Sequence, residues 1–249
     1  MINKVKSFLV QSYSSIRYPK SRDLRRKGIP FDHYRELNKA WLVSGNIKSV
    51  LDVGANKGQF AKLAREVFPL ANIYSFEPLP ECFEALQKAL PGDKNFFSYN
   101  QAAGNSESML EFFRSVHSPS SSFLQMEELH KEAFPESSKG QETKAIQVKV
   151  DTLDNFFATE KPVQNILLKI DVQGFEGEVI AGATNMLKYV KVVILEMSLV
   201  KLYKDQPLFH DIYTMMYNHG FRFHGNLAQM LHPVTGEVVQ LDAIFINEN

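Results

Sequence analysis

Apolar positions along this chain follow two alternating rhythms. Val50-Leu51-Val53, Ile73-Tyr74-Phe76, Ile166-Leu167-Leu168-Ile170-Val172 and Val192-Val193-Ile194-Leu195 are short, mostly consecutive apolar runs. Their length and β-branched content predict buried strands. Between them apolar residues recur at helical spacing: Phe60, Leu63, Ala64 and Val67; Phe83, Leu86 and Leu90; Val179, Ile180, Ala183, Met186, Leu187 and Val190; and again over 207–219. Strands alternating with helices predict βα units on a parallel sheet. Phe31–Val43 reads as one amphipathic helix, Phe96–Ala103 as a third strand, and Lys191–Ser198 as a fifth, ended by Glu196. Residues 105–113 read as a short hairpin arm and Ile146, Val148 and Val150 as a further strand. Phe221–Phe223 and Leu241–Ile246, around the turn Pro233–Gly236, close the pattern as an antiparallel pair.

The strand ends carry the chemistry. From Asp52, within Val50–Val53, the chain reads D-x-G-x-N-x-G through Asp52, Gly54, Asn56 and Gly58 and enters a helix at once. Such a strand, tight turn and helix lets a ligand approach the backbone closely. The second strand ends in Glu77-Pro78, about 20 residues on, where an acid accepts hydrogen bonds from vicinal ribose hydroxyls. Gln101-Ala102 ends the third strand at the position that borders an adenine. The expected fold is therefore α/β, a Rossmann-like doubly wound sheet of about seven strands, mostly parallel with an antiparallel C-terminal strand.

Asp52, read as facing the ligand, repels a pyrophosphate and suits a cation. S-adenosylmethionine, with a ribose, an ammonium, a sulfonium and no phosphate, is the expected cofactor. A NAD-dependent oxidoreductase and a non-catalytic nucleoside-binding domain stay open as alternatives. Asp171, after Ile166–Ile170, and Glu196 end strands and are expected to meet Asp52 and Glu77 at the carboxyl rim of the sheet. Asp171 is the first candidate for a general base, with Glu176 and Glu196 next; a divalent metal could replace a base, but no ligand set for one stands out. The histidines His219, His224 and His232 read as structural.

Composition narrows the partners. With 28 basic and 28 acidic residues the formal net charge is zero, which implies no global attraction to nucleic acid. One cysteine, Cys82, excludes an internal disulfide and fits a reducing, cytoplasmic setting. No apolar run reaches membrane-span length. Charge is uneven, however: residues 1–27 hold eight Lys or Arg against Asp23 alone. Residues 1–47 are expected to form a basic arm and capping helix, and 48–249 the cofactor-binding domain. The arm could cap the fold, touch an anionic acceptor or membrane surface, or join a dimer. The Ser-rich stretch 114–145, with Ser120-Ser121-Ser122, reads as a binding loop. Nothing here sets the oligomeric state.

Taken together, Val50–Gly58, Ser75–Pro78 and Leu168–Glu176, with Val193–Glu196, resemble the FkbM-type methyltransferases. The resemblance runs from about Lys48 to Asn247. It implies S-adenosylmethionine and O-methylation of a hydroxyl on a sugar, glycan or polyketide-like small-molecule acceptor. One residue departs from the pattern: Gln173 stands where the family often has Glu.

Overall fold

The structure is a computed structural model that describes residues 20–113, 121–125, 127 and 145–248. Its centre is a seven-stranded sheet built from β1 (Ser49–Val53), β2 (Asn72–Phe76), β3 (Phe96–Tyr99), β7 (Ile166–Ile170), β8 (Val190–Ser198), β9 (Phe221–Leu231) and β10 (Val238–Asn247), in the order β3-β2-β1-β7-β8-β10-β9. Pairing is parallel from β3 to β8. It is antiparallel from β8 to β10 and from β10 to β9. Five parallel strands with a reversed pair at one edge match the expected doubly wound sheet. The strand order reverses between β1 and β7, which opens a crevice at the carboxyl ends of both. A second sheet, β4 (Ala102–Ala103), β6 (Ala145–Asp151) and β5 (Ser108–Phe113), lies beside it in that order.

The period-2 pattern sorts the core onto two faces. Leu51, Val53, Leu168 and Ile170 pack with Val179, Ile180, Ile212 and Met216 on one face. Those last four come from helices α7 (Glu176–Ala181) and α8 (Phe209–Asn218). On the other face Val50, Ile73, Leu167 and Ile194 pack with Phe60, Leu63, Ala64 and Val67 of α4 (Gln59–Val67). The same cluster takes in Leu24, Leu37 and Leu42 from α1 (Lys20–Arg26), α2 (Phe31–Leu37) and α3 (Ala40–Val43). Residues 20–47 are thus part of the core. Two cations of the basic stretch are tied to it: Lys20 and Lys27 pair with Glu66 of α4 at 3.2 and 2.8 Å. The arm before Lys20, with its expected surface contacts, lies outside the described residues.

Several boundaries differ from expectation. The 31–43 helix breaks at Asn38-Lys39 into α2 and α3. Phe96–Ala103 is two strands, because the chain leaves the main sheet after Tyr99 and pairs Ala102 with Val150 in the small one. The apolar periodicity over 179–190 spans α7, a 3-10 turn at Met186–Tyr189 and the first residue of β8. Trp41 is half-buried and packs on His224, ring centroids 4.3 Å apart. Cys82, on α5 (Pro80–Leu86), is buried against the small sheet. Thr152 caps α6 (Leu153–Glu160) by accepting a hydrogen bond from the Asn155 amide. Among the described residues, no helix is long and apolar enough to cross a membrane.

Candidate active site

A cavity of about 630 Å³ opens at the carboxyl ends of β1, β2, β7 and β8, a size suited to a small-molecule ligand. One wall is the turn after β1. Gly54 has φ +81°, and a Cβ there would overlap the carbonyl oxygen of Asp171. Only glycine brings the β1 and β7 ends this close. Asn56 also takes a positive φ. The turn's amides are already committed. Gly54 and Ala55 N–H donate to the Phe76 carbonyl, and Gly58 N–H donates to that of Ala55. Lys57 N–H donates to Gln59 Oε1, and Asn56 N–H to Glu77 Oε2 at 2.8 Å.

Glu77 follows β2 and is 5% exposed. Its Oε1 accepts from Leu79 N–H at 2.9 Å. Burial pushes its carboxyl up to about 7, against these two hydrogen bonds. Each oxygen keeps acceptor capacity toward the cavity. Pro78, Leu79, Ala102, Ala103 and Phe112 continue this wall. Ser121 and Phe123 cover it. Their segment is pinned by Ser122, whose Oγ donates to the Gln173 carbonyl at 2.6 Å, and by Phe123, edge-on to Phe112 and tilted against Phe175. Of the expected Ser-rich loop, residues 114–120, 126 and 128–144 lie outside the described residues.

The opposite end is built on charge. Lys169, the single charged side chain in the apolar run of β7, sends its ammonium to Asp171 Oδ2 at 3.0 Å and lies 3.6 Å from Asp52 Oδ1. Burial alone would lower this ammonium, but Asp171 and Asp52 raise it well above the ordinary lysine value. Asp171 is the counterpart: burial works to raise it, yet Lys169 and a hydrogen bond from Gln173 hold it below the usual carboxylate range. Gln173 Nε2 donates to Asp171 Oδ1 at 3.0 Å and to Glu196 Oε2 at 2.7 Å, and Gln173 Oε1 accepts from the Tyr203 hydroxyl at 2.8 Å. Glu196 is pushed well above its ordinary value by burial and then by Asp171 and Glu176. Asp242 of β10 completes the row, raised to about 6 by burial and by Asp171.

Glu77, Asp171 and Glu196 thus share one cavity, with Gly54, Asn56, Pro78 and Ala102 beside them. Asp52 does not border it. Its side chain is 0% exposed, neither oxygen makes a hydrogen bond, and burial raises its carboxyl. It stands under the floor as a partner for Lys169, which corrects the expectation that it faces a ligand. Gly58 is also displaced from the cavity, where its missing Cβ makes room for Ala89 and Leu86. Gln101 does not line the cavity; the neighbouring alanines do. Glu176, a catalytic candidate, is 3% exposed and faces inward. Its Oε1 accepts from the amides of Val172 and Gly174, so it secures the loop after β7 from behind. Glu196 lies within β8 rather than at its end.

Sequence reasoning passed over Lys169, Asp242 and the wall residues Gly28 and Pro30, from the turn between α1 and α2, and His33 of α2. A lysine inside a buried strand was a usable signal, because such a charge requires paired acids. Asp242, alternating with Leu241 and Ala243, gave no such sign, since that pattern reads equally as a solvent-facing position. Among the described residues, no cluster of three His, Cys, Asp or Glu suited to a metal ion occurs.

Comparison with known proteins adds the family. The methyltransferase sdnD of Sordaria araneosa is 33% identical over 159 residues, 53% of this chain. The match spans 59% of that relative's own length. Among solved structures, the Methanococcus jannaschii fibrillarin pre-rRNA processing protein aligns at TM-score 0.45 and 11% identity, over 82% of this chain and 68% of its own. A precorrin-6y C5,15-methyltransferase from Geobacter metallireducens aligns at 0.39 and 12%, over 84% and 86%. The family model for the methyltransferase FkbM domain matches residues 52–223, from the buried acid of β1 to the start of β9 and so across both walls of the cavity. The chain belongs to the FkbM methyltransferase family.

Proposed function

We propose that this chain is an S-adenosylmethionine-dependent methyltransferase that methylates a hydroxyl of a small-molecule acceptor, a sugar or glycan hydroxyl first. One observation carries the reading. The cavity holds Asp171, Glu196 and Asp242 at the Lys169 end and Glu77 at the other, while every amide from Gly54 to Gly58 is spent within the protein. A dinucleotide needs free turn amides for its pyrophosphate. This turn has none to give, which disfavours the oxidoreductase alternative. A cationic nucleoside without phosphate suits the same walls.

On this reading Glu77 accepts the ribose hydroxyls. Gly54, Asn56 and Pro78 border the nucleoside, and Ala102 borders the adenine. Asp52 and Gly58 act from behind, through Lys169 and through the packing of α4. When bound, the cofactor supplies an electrophilic methyl group on a sulfonium. Asp171, held charged by Lys169 and Gln173, together with Glu196 orients the acceptor hydroxyl. Glu176 keeps their loop in place.

Calorimetric titration tests the cofactor: S-adenosylmethionine and S-adenosylhomocysteine are expected to bind and NAD to give no heat. Methyl transfer to a panel of neutral glycosides tests the reaction. Binding of NAD, or donor binding with no transfer to any hydroxyl acceptor, would count against it.

A further inference from the structure

We infer that Asp242, on the reversed strand β10, is the general base that takes the proton of the acceptor hydroxyl; this rests on the methyl-transfer reading above. In register, Asp242 lies opposite Glu196 on β8 and Ala228 on β9. Directly opposed residues share a sheet face. Glu196 and Asp242 therefore share a face, Asp171 follows one residue after the last β7–β8 pair, Ile170 and Leu195, and all three border the cavity.

Their surroundings divide the work. Asp171 has one oxygen on Lys169 and the other on Gln173. Glu196 gives an oxygen to Gln173, and burial beside Asp171 and Glu176 pushes its carboxyl well above the ordinary value, which disfavours its charged form. Glu77 stands at the far end, holding two backbone amides. Among the described residues, the Asp242 carboxyl makes neither a hydrogen bond nor an ion pair. Charged groups facing it are Asp171 and Lys169 from β7 and Glu196 from β8; its β9 neighbours Leu227, Ala228 and Met230 carry none. A bulge in β9 leaves Leu227 unpaired beside the Asp242–Ala243 register. With Ile194 and Met230, it gives the base an apolar flank within the cavity. A carboxyl at about 6 is ionised at neutral pH yet still retains a captured proton well enough to act as a base.

The step balances without a further reactant. The acceptor oxygen bonds to the methyl carbon as the carbon–sulfur bond breaks. The broken bond's electron pair stays on sulfur, which becomes a neutral thioether. The hydroxyl proton passes to Asp242 and then to solvent after product leaves.

The test uses the full chain with S-adenosylmethionine and two probe acceptors, methyl β-D-glucopyranoside and methyl α-L-rhamnopyranoside, reading S-adenosylhomocysteine released between pH 5 and 9. Asp242→Asn is expected to lower kcat by about 100-fold or more. Donor affinity is expected to fall far less than kcat, since Glu77 and the turn are untouched. Wild-type kcat is expected to fall on the acid side with an apparent pKa near 6, a limb the variant lacks. A variant within about threefold of wild-type kcat, or a flat wild-type profile from pH 5 to 7, overturns the assignment. Should Asp242→Asn fail to bind the donor, the wild-type acid limb decides alone. Wild-type protein that binds the donor but methylates neither probe overturns the methyl-transfer reading and this inference with it. A wild type that turns over beside an unimpaired variant overturns the inference alone.

Discussion

Gln173 is the residue on which the acidic end turns. It has a left-handed backbone, φ +57°, followed by Gly174, also at positive φ. Its amide nitrogen donates to two carboxyl groups at once, and only an amide can do this while accepting from Tyr203. Replacing Gln173 by Glu removes both donors and adds a carboxyl to a buried group of acids. Protonation must then relieve the repulsion. Q173E is therefore expected to melt lower than wild type by about 3 °C or more at pH 8, with most of the loss recovered near pH 5.5. Differential scanning fluorimetry at the two pH values checks this, and an equal Tm difference at both would refute the charge argument.

At the scale of elements, the join between β1 and α4 sets the tolerance of the fold. Gly54 combines a positive φ with contact against the Asp171 carbonyl. Gly92 has a similar φ, +77°, and nothing near its missing Cβ. Gly92→Ala is expected to cost about 1 kcal/mol from backbone strain alone. Gly54→Ala adds a wedge between β1 and β7 and is expected to cost more than about 3 kcal/mol and to abolish donor binding. Urea unfolding and calorimetry compare the pair; equal losses would mean that the close approach carries no weight.

The same elements explain what could be read from sequence. β1, β2, β7 and β8 were legible because strands buried on both faces have unbroken apolar runs. Glu77 was legible because its spacing from the glycine turn is set by one βαβ unit. Asp52 was misplaced because an acid near a strand end can serve a buried partner instead of a ligand: it shares a face with Lys169, lies 3.6 Å from its ammonium and is fully buried. Periodicity could not separate α7 from the 3-10 turn that follows, since both continue one apolar stripe. Nor could it find Asp242, whose role depends on β10 lying beside β8, a neighbour distant in sequence.

For the whole molecule, the buried acids tie stability to pH. Glu77 and Glu176 sit at about 7 and Asp242 at about 6, above the ordinary values of 4.5 and 3.8. Between these limits the folded chain binds more protons than the unfolded one, so stability falls as pH rises. Asp171, held low, acts in the opposite sense and loses its contribution in stronger acid. The ligand-free protein is expected to melt about 5 °C higher at pH 5 than at pH 8. S-adenosylmethionine is expected to raise Tm more at pH 8, where the acids are charged, than at pH 5. A Tm that climbs from pH 5 to pH 8 without ligand would contradict this balance.

The surplus of carboxyl groups over ammonium in the cavity also bears on turnover. On the proposed reading, a donor with a sulfonium and an ammonium enters, and a thioether that keeps the ammonium departs. Transfer removes the sulfonium's share of the attraction that drew the nucleoside in, so the spent molecule is held less firmly than the fresh one. Product inhibition is thereby weakened by the same electrostatics that select the donor. Added salt, which screens the entering charge, slows capture without delaying release.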